Sequence, residues 1–128
     1  MTDEDKLLLI KDLSARLPYG VIINAPSNIF YPTDKEDIKL DSVFEIDGNF
    51  HVSEDYGWPI ETCKPYLRPL SSMTEDEKET YQMFFNEDGL LNTSIDTYLD
   101  WLLEGHFDFR GLISKGLALE VPENFYNN

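Results

Sequence analysis

The chain has 128 residues and a formal net charge of -15, with 41% hydrophobic residues, 13% aromatic residues and one cysteine. Its length supports a single domain over residues 1–128, and its apolar content is enough to offset the entropy of ordering, which excludes general disorder. The charge excludes direct binding of a phosphate backbone in the absence of a strong local basic patch, and an apolar run that reaches only from residue 7 to residue 10 excludes a membrane-spanning helix.

Thr2 followed by Asp5 has the form of a capping box, and Asp3 and Glu4 suit the positive end of a helix. Leu7, Ile10, Leu13 and Leu17 fall near helical spacing, so a first helix is expected over 3–17, stopped by Pro18 and laying that apolar stripe on a sheet. Residues 19–23 are β-rich, and 28–31 offer a second short strand. Residues 34–37 read as a polar loop.

The segments 38–46 and 50–53 flank Asp47-Gly48-Asn49, the signature of a hairpin. A two-residue turn would set Phe44 opposite His51 and Glu45 opposite Phe50, mixing apolar and polar groups. A three-residue turn sets Ile46 against Phe50 and Phe44 against Val52, and is the register expected on that ground. Residues 54–58 form a loop, and 60–70 are mostly extended.

Thr74 and Glu77 make a second capping box, with Tyr81, Phe84 and Phe85 as the aromatic face of a second helix. Ser94 opens a third, in which Ile95, Tyr98, Leu99, Leu102 and Leu103 share the core spacing, while Asp96, Asp100 and Glu104 recur every four residues on the opposite side. Asp108 is placed to cap a short fourth helix, with Phe107 and Leu112 as its staple and Gly116 beyond its end. Leu117, Leu119 and Val121 alternate as a last strand would. The fold class expected is α+β: a small bent antiparallel sheet or partial SH3-like barrel over about 19–70, with an N-terminal helix and C-terminal helices packed on it.

Three blocks carry a resemblance: Ala15-Arg16-Leu17-Pro18-Tyr19-Gly20-Val21; Lys64-Pro65-Tyr66-Leu67-Arg68-Pro69 running into Ser71-Ser72-Met73-Thr74; and His106-Phe107-Asp108-Phe109-Arg110-Gly111-Leu112-Ile113 with Gly116-Leu117-Ala118-Leu119-Glu120. Together they resemble a family of short, acidic, uncharacterised bacterial proteins of gut anaerobes, encoded near prophage-like or mobile regions. The match is weakest over 24–61. The resemblance implies a bacterial, cytoplasmic, mobile-element setting and carries no activity.

The segment 63–69 is the chain's local exception, since it sets two of ten basic residues between prolines in an acidic molecule. As a strand it turns Cys63, Pro65 and Leu67 to one side and Lys64, Tyr66 and Arg68 to the other, where they can grip a partner or pair with the protein's own carboxylates. Cys63 becomes a nucleophile only if His51 or His106 reaches it, and a small buried hydrophobe is the commoner state of a lone cysteine. Two histidines and one cysteine are a poor inventory for zinc, and 45–49 lacks the spaced acids of a calcium loop, so no metal and no cofactor are expected. Phosphate-cradling loops and the Gly-x-Ser-x-Gly elbow are missing as well.

The function expected is a small cytoplasmic protein–protein interaction module whose partner bears a basic surface, with Lys64, Tyr66, Arg68, Asp96, Asp100 and Glu104 as contact residues and no catalytic residue assigned. The alternatives are a small hydrolase-like enzyme using Cys63 or a carboxylate pair, an acidic inhibitor that mimics nucleic acid, and a structural accessory of a phage or mobile element. The cytoplasm follows from the single cysteine and from the lack of an apolar run behind a basic start.

Overall fold

The computed structural model describes residues 1–26, 35–52, 57–122 and 125–126. Its first helix, α1 (Asp3–Arg16), begins on the expected capping box: the Asp5 amide donates to Thr2 Oγ1 at 3.0 Å, and the Thr2 amide donates to Asp5 Oδ2 at 3.2 Å. The face that α1 buries is Leu9, Asp12, Leu13 and Arg16, at i, i+3, i+4 and i+7. This is a correction, because Leu7 of the expected stripe is 57% exposed. Leu13 is in the core and Ile10 and Leu17 pack against it, but two of the inward positions hold charged residues that pair with each other, so a pattern counted in apolar residues alone is rotated from the buried face.

A short 3-10 turn, Leu17–Tyr19, ends on Gly20, whose left-handed φ of 71° turns the chain into β1 (Ile22–Pro26). β2 (Lys35–Lys39) pairs antiparallel with β1 from Ile22↔Lys39 to Pro26↔Lys35. Residues 35–37 are thus strand rather than the expected polar loop. Their charges suit an edge, where Lys, Glu and Asp discourage pairing with another chain. The candidate strand at 28–31 lies outside the described residues.

β3 (Val43–Ile46), β4 (Asn49–Val52) and β5 (Trp58–Pro59) form a separate three-stranded sheet. The hairpin register differs from the expected one: Phe44 lies opposite His51, Glu45 opposite Phe50 and Ile46 opposite Asn49, across a two-residue turn. Turn chemistry explains it. Asp47 and Gly48 both take positive φ, 51° and 83°, the geometry that matches the twist of a tight hairpin. The mixed pair is accommodated by stacking, with the Phe44 and His51 rings 5.6 Å apart and 14° from parallel.

β6 (Lys64–Leu67) pairs antiparallel with β1, and β7 (Leu119–Glu120) adds in parallel, giving the order β2-β1-β6-β7. α2 (Glu75–Met83) and α3 (Ile95–Glu104) follow β6. Residues 112–116 form turns rather than a fourth helix. Asp108 still caps them, accepting from Leu112 N at 2.8 Å and Ile113 N at 2.9 Å, but Gly111 and Gly116 at positive φ stop a helix from propagating. Leu117 and Ala118 are both buried, so alternation is confined to the last two-residue pairing.

The architecture is α+β: an N-terminal helix, seven strands among the described residues in two small sheets that do not close into a barrel, and helices after them. One apolar cluster joins Leu9 and Leu13 of α1 to Val21, Ile23, Val52, Trp58, Ile60, Leu67 and Leu112. A second joins Met73, Leu102 and Phe107, with Tyr81, Tyr98, Leu99, Trp101 and Phe109 packed around them. Arg16 ties the two together. It is fully buried, donates from Nε to Asp12 Oδ2 at 2.7 Å and from Nη2 to the Phe107 carbonyl at 2.7 Å, and Asp12 also accepts from Arg110 Nε at 3.1 Å.

Candidate functional site: an acidic, aromatic helix pair

β6 shows the two-sided arrangement of its sequence. Cys63, Pro65 and Leu67 are buried, Lys64 is exposed, and Tyr66 and Arg68 are half-buried. Arg68 spends its guanidinium inside the molecule. It makes a bidentate pair with Glu77 at 2.8 and 2.6 Å, donates to the Ser72 carbonyl at 3.3 Å and lies over the Phe107 ring, 4.4 Å from its centroid. Tyr66 donates to Asp37 Oδ1 at 2.7 Å and packs on Phe125. Of the strip expected to meet a partner, Lys64 remains fully outward.

Glu77 fills three roles: it closes the capping box of α2 on the Thr74 amide at 2.9 Å, holds Arg68, and so pins α2 to the end of β6. Its hydrogen bonds from the Arg68 guanidinium, foremost among several causes, hold its carboxyl below the ordinary range. α2 buries no residue fully; it stands on rings. Tyr81 meets Phe85, Tyr98 and Trp101, and Phe84 meets Tyr98 and Trp101 edge-on, at 5.4–6.4 Å between centroids. The link to α3 is equally defined. Asn86 Oδ1 accepts from Asp88 N and Leu90 N, the Asn86 amide donates to the Leu90 carbonyl, and Asn92 N donates to the Phe84 carbonyl at 2.7 Å.

That framework holds apolar side chains in the open: Met83 is 75% exposed, Leu90 63% and Ile95 56%. Ile95 was expected to face the core with Tyr98 and Leu102; it sits in the first turn of α3, beyond the reach of the second cluster. Around these residues, 75–104 carry nine carboxylates and one lysine, Lys78. The stripe Asp96, Asp100 and Glu104 is exposed throughout, and Asp100 accepts from the Tyr19 hydroxyl at 2.7 Å.

Between the helices lies a cleft of about 360 Å³, lined by Asp76, Glu77 and Thr80 of α2 and by Trp101, Glu104, Gly105 and Phe107. Two larger clefts, about 570 and 770 Å³, flank His106, Phe125 and Tyr126.

No protein-family model, no curated protein and no solved structure matches this chain.

Cys63 is wholly buried against Thr62 and the Pro59 carbonyl, and burial pushes its thiol pKa up, so the sulfur is held as a thiol. Neither histidine is its partner: His51 stacks on Phe44, and His106 stacks on Tyr126 with centroids 3.7 Å apart. Burial, with the nearby charges of Arg16 and Arg68, lowers the His106 pKa to about 4, so the ring is neutral near pH 7. The hydroxyls beside the largest cleft are committed, Ser72 to the Pro69 carbonyl and Thr74 to the Glu77 amide. Among the described residues no group of three or more His, Cys, Asp or Glu is arranged to hold a metal ion, and no helix is long and apolar enough to cross a membrane.

Glu104 is legible in the sequence as part of the acidic stripe, whereas Met83, Leu90, Asp76 and Thr80 carry no such pattern. Glu104 also stands in the last turn of a helix that has no basic residue there, where the macrodipole disfavours carboxylates.

Proposed function

We propose that this protein is a small interaction module that docks a partner protein bearing a basic surface, and that it does so through the unit formed by α2, its link and α3. The observation that carries this reading is the exposure of Met83, Leu90 and Ile95 on an ordered aromatic base amid nine carboxylates. Apolar side chains held in the open cost solubility, and a rigid frame beneath them lowers the ordering entropy that docking must overcome. The carboxylates supply steering toward positive charge. A reducing, cytoplasmic setting linked to a bacterial mobile element is part of the proposal and rests on the family resemblance and the unpaired Cys63.

Capture from bacterial lysate with the wild-type chain, beside Met83→Glu/Ile95→Glu and Asp96→Lys/Asp100→Lys, tests it. A partner recovered by wild type in low salt should be lost from both variants and weakened at least tenfold between 0.05 and 0.5 M NaCl, as measured with the purified pair. If duplex DNA displaces that partner, the module acts by nucleic-acid mimicry. Equal recovery by wild type and by the charge-reversed variant would refute the docking surface.

A further inference from the structure

We infer that the cleft between α2 and α3 seats an arginine side chain of the partner, an inference that rests on the docking reading and gives it a specific point of contact. Asp76 and Thr80 lie one turn apart on α2, Trp101 and Gly105 one turn apart across α3, and Glu104 stands beside them, around a space of about 360 Å³. The half-buried Trp101 ring stacks on the buried Phe107, with centroids 5.5 Å apart and 24° between planes. Aromatic rings beside carboxylates from two helices are the combination that recognises an organic cation.

The carboxylates of the cleft are not equivalent. Glu77 is neutralised by Arg68. Among the described residues no cation pairs with Asp76 or Glu104. Glu104 is the last residue of α3, four residues after Asp100 and at the negative end of the helix dipole, with no basic residue in that turn. It is placed where the chain's own fields oppose it, and an external cation relieves both oppositions. Sequences break local electrostatic preference in this way where function requires it.

The molecule contains a copy of the contact proposed. Arg68 places its guanidinium over Phe107 and forks onto Glu77, and a partner's arginine on the neighbouring Trp101 would use the same chemistry with Asp76 and Glu104. The planar, weakly hydrated guanidinium suits a stacked and forked site, whereas the compact, strongly hydrated lysine ammonium does not exploit the ring as well.

The test is a titration of the 15N-labelled protein with Nα-acetyl-arginine amide in low salt. The Trp101 indole and Gly105 amide signals should shift along a saturable curve in the millimolar range expected of one side chain, while the core Trp58 indole stays in place. Asp76→Asn/Glu104→Gln, both surface positions, should weaken binding about tenfold, Glu45→Gln on the exposed side of β3 should leave it unchanged, and Nα-acetyl-lysine amide should bind several-fold more weakly. Non-saturable shifts, or equal affinity in Asp76→Asn/Glu104→Gln, would overturn the site. Equal affinity for the lysine compound would overturn the arginine assignment. The docking reading is decided separately by the capture experiment: a partner lost with Met83→Glu/Ile95→Glu but retained by Asp76→Asn/Glu104→Gln would leave the surface standing and remove the cleft from it.

Discussion

Asp12 is the residue whose importance the sequence conceals best. It lies on a helix with many carboxylates, yet it is fully buried and answers two guanidiniums, Arg16 at 2.7 Å and Arg110 at 3.1 Å, 98 positions apart in the second case. Nothing in an i, i+4 Asp-Arg spacing separates a buried pair from a solvated one; the difference is made by residues 107–110, which close over it from the far end of the chain. Removing one partner of a buried pair leaves the other charge uncompensated, a cost of about 3–5 kcal/mol, whereas replacing the pair with apolar groups of similar size is often neutral. Asp12→Ala should therefore lose about that much in urea unfolding followed by circular dichroism, and Asp12→Leu/Arg16→Met should lose less than Asp12→Ala alone, with Arg110 free to turn outward. A cost below about 1 kcal/mol for Asp12→Ala would show that water already screens the network.

Capping boxes at the starts of α1 and α2 were legible because they are local: a hydroxyl, an acid three residues on, and nothing else is needed. Helix ends and hairpin register were less so. The hairpin followed Asp47-Gly48 turn chemistry rather than burial, because this small sheet leaves Ile46 51% exposed and so gives burial little power to choose. The end of α3 is subtler. The Phe107 amide donates to the Leu102 carbonyl and the His106 amide to the Leu103 carbonyl, both at 3.0 Å, so His106, at a φ of 61°, takes the left-handed place that glycine usually holds. Gly105 stands one residue earlier in right-handed backbone, and its role is space: a Cβ there would lie 2.5 Å from the Phe107 ring. On propensity alone Gly105→Ala should gain up to about 1 kcal/mol. It should instead lose about 1–3 kcal/mol through overpacking, and a double-mutant cycle with Phe107→Leu should show that the penalty is coupled to the ring. Additive effects in that cycle, or a stabilised Gly105→Ala, would contradict this account of the turn.

The distribution of charge sets how the molecule as a whole responds to salt. Residues 75–104 hold nine carboxylates against one lysine, in a unit whose first helix buries no residue fully, whereas α1 is anchored by four buried side chains. The α+β class and the three α-helices were legible from period and capping, but this division of labour was not, since the stripe of Tyr81, Phe84 and Phe85 reads as core until the packing shows it to be a half-buried pedestal. Self-repulsion concentrated there is screened as the Debye length falls from about 10 Å at 0.1 M salt to about 3 Å at 1 M. The melting temperature should consequently rise by about 2–6 °C between 0.05 and 0.5 M NaCl, as about 1 kcal/mol would produce in a domain of this size. Amides of α2 should exchange with deuterium faster than those of α1, with the gap narrowing in high salt. Docking to a basic partner weakens over the same range of salt, so stability and binding should move in opposite directions. If both weakened together, salt would be acting on the fold rather than on the acidic face, and a melting temperature indifferent to salt would mean that repulsion within the acidic face does not limit stability.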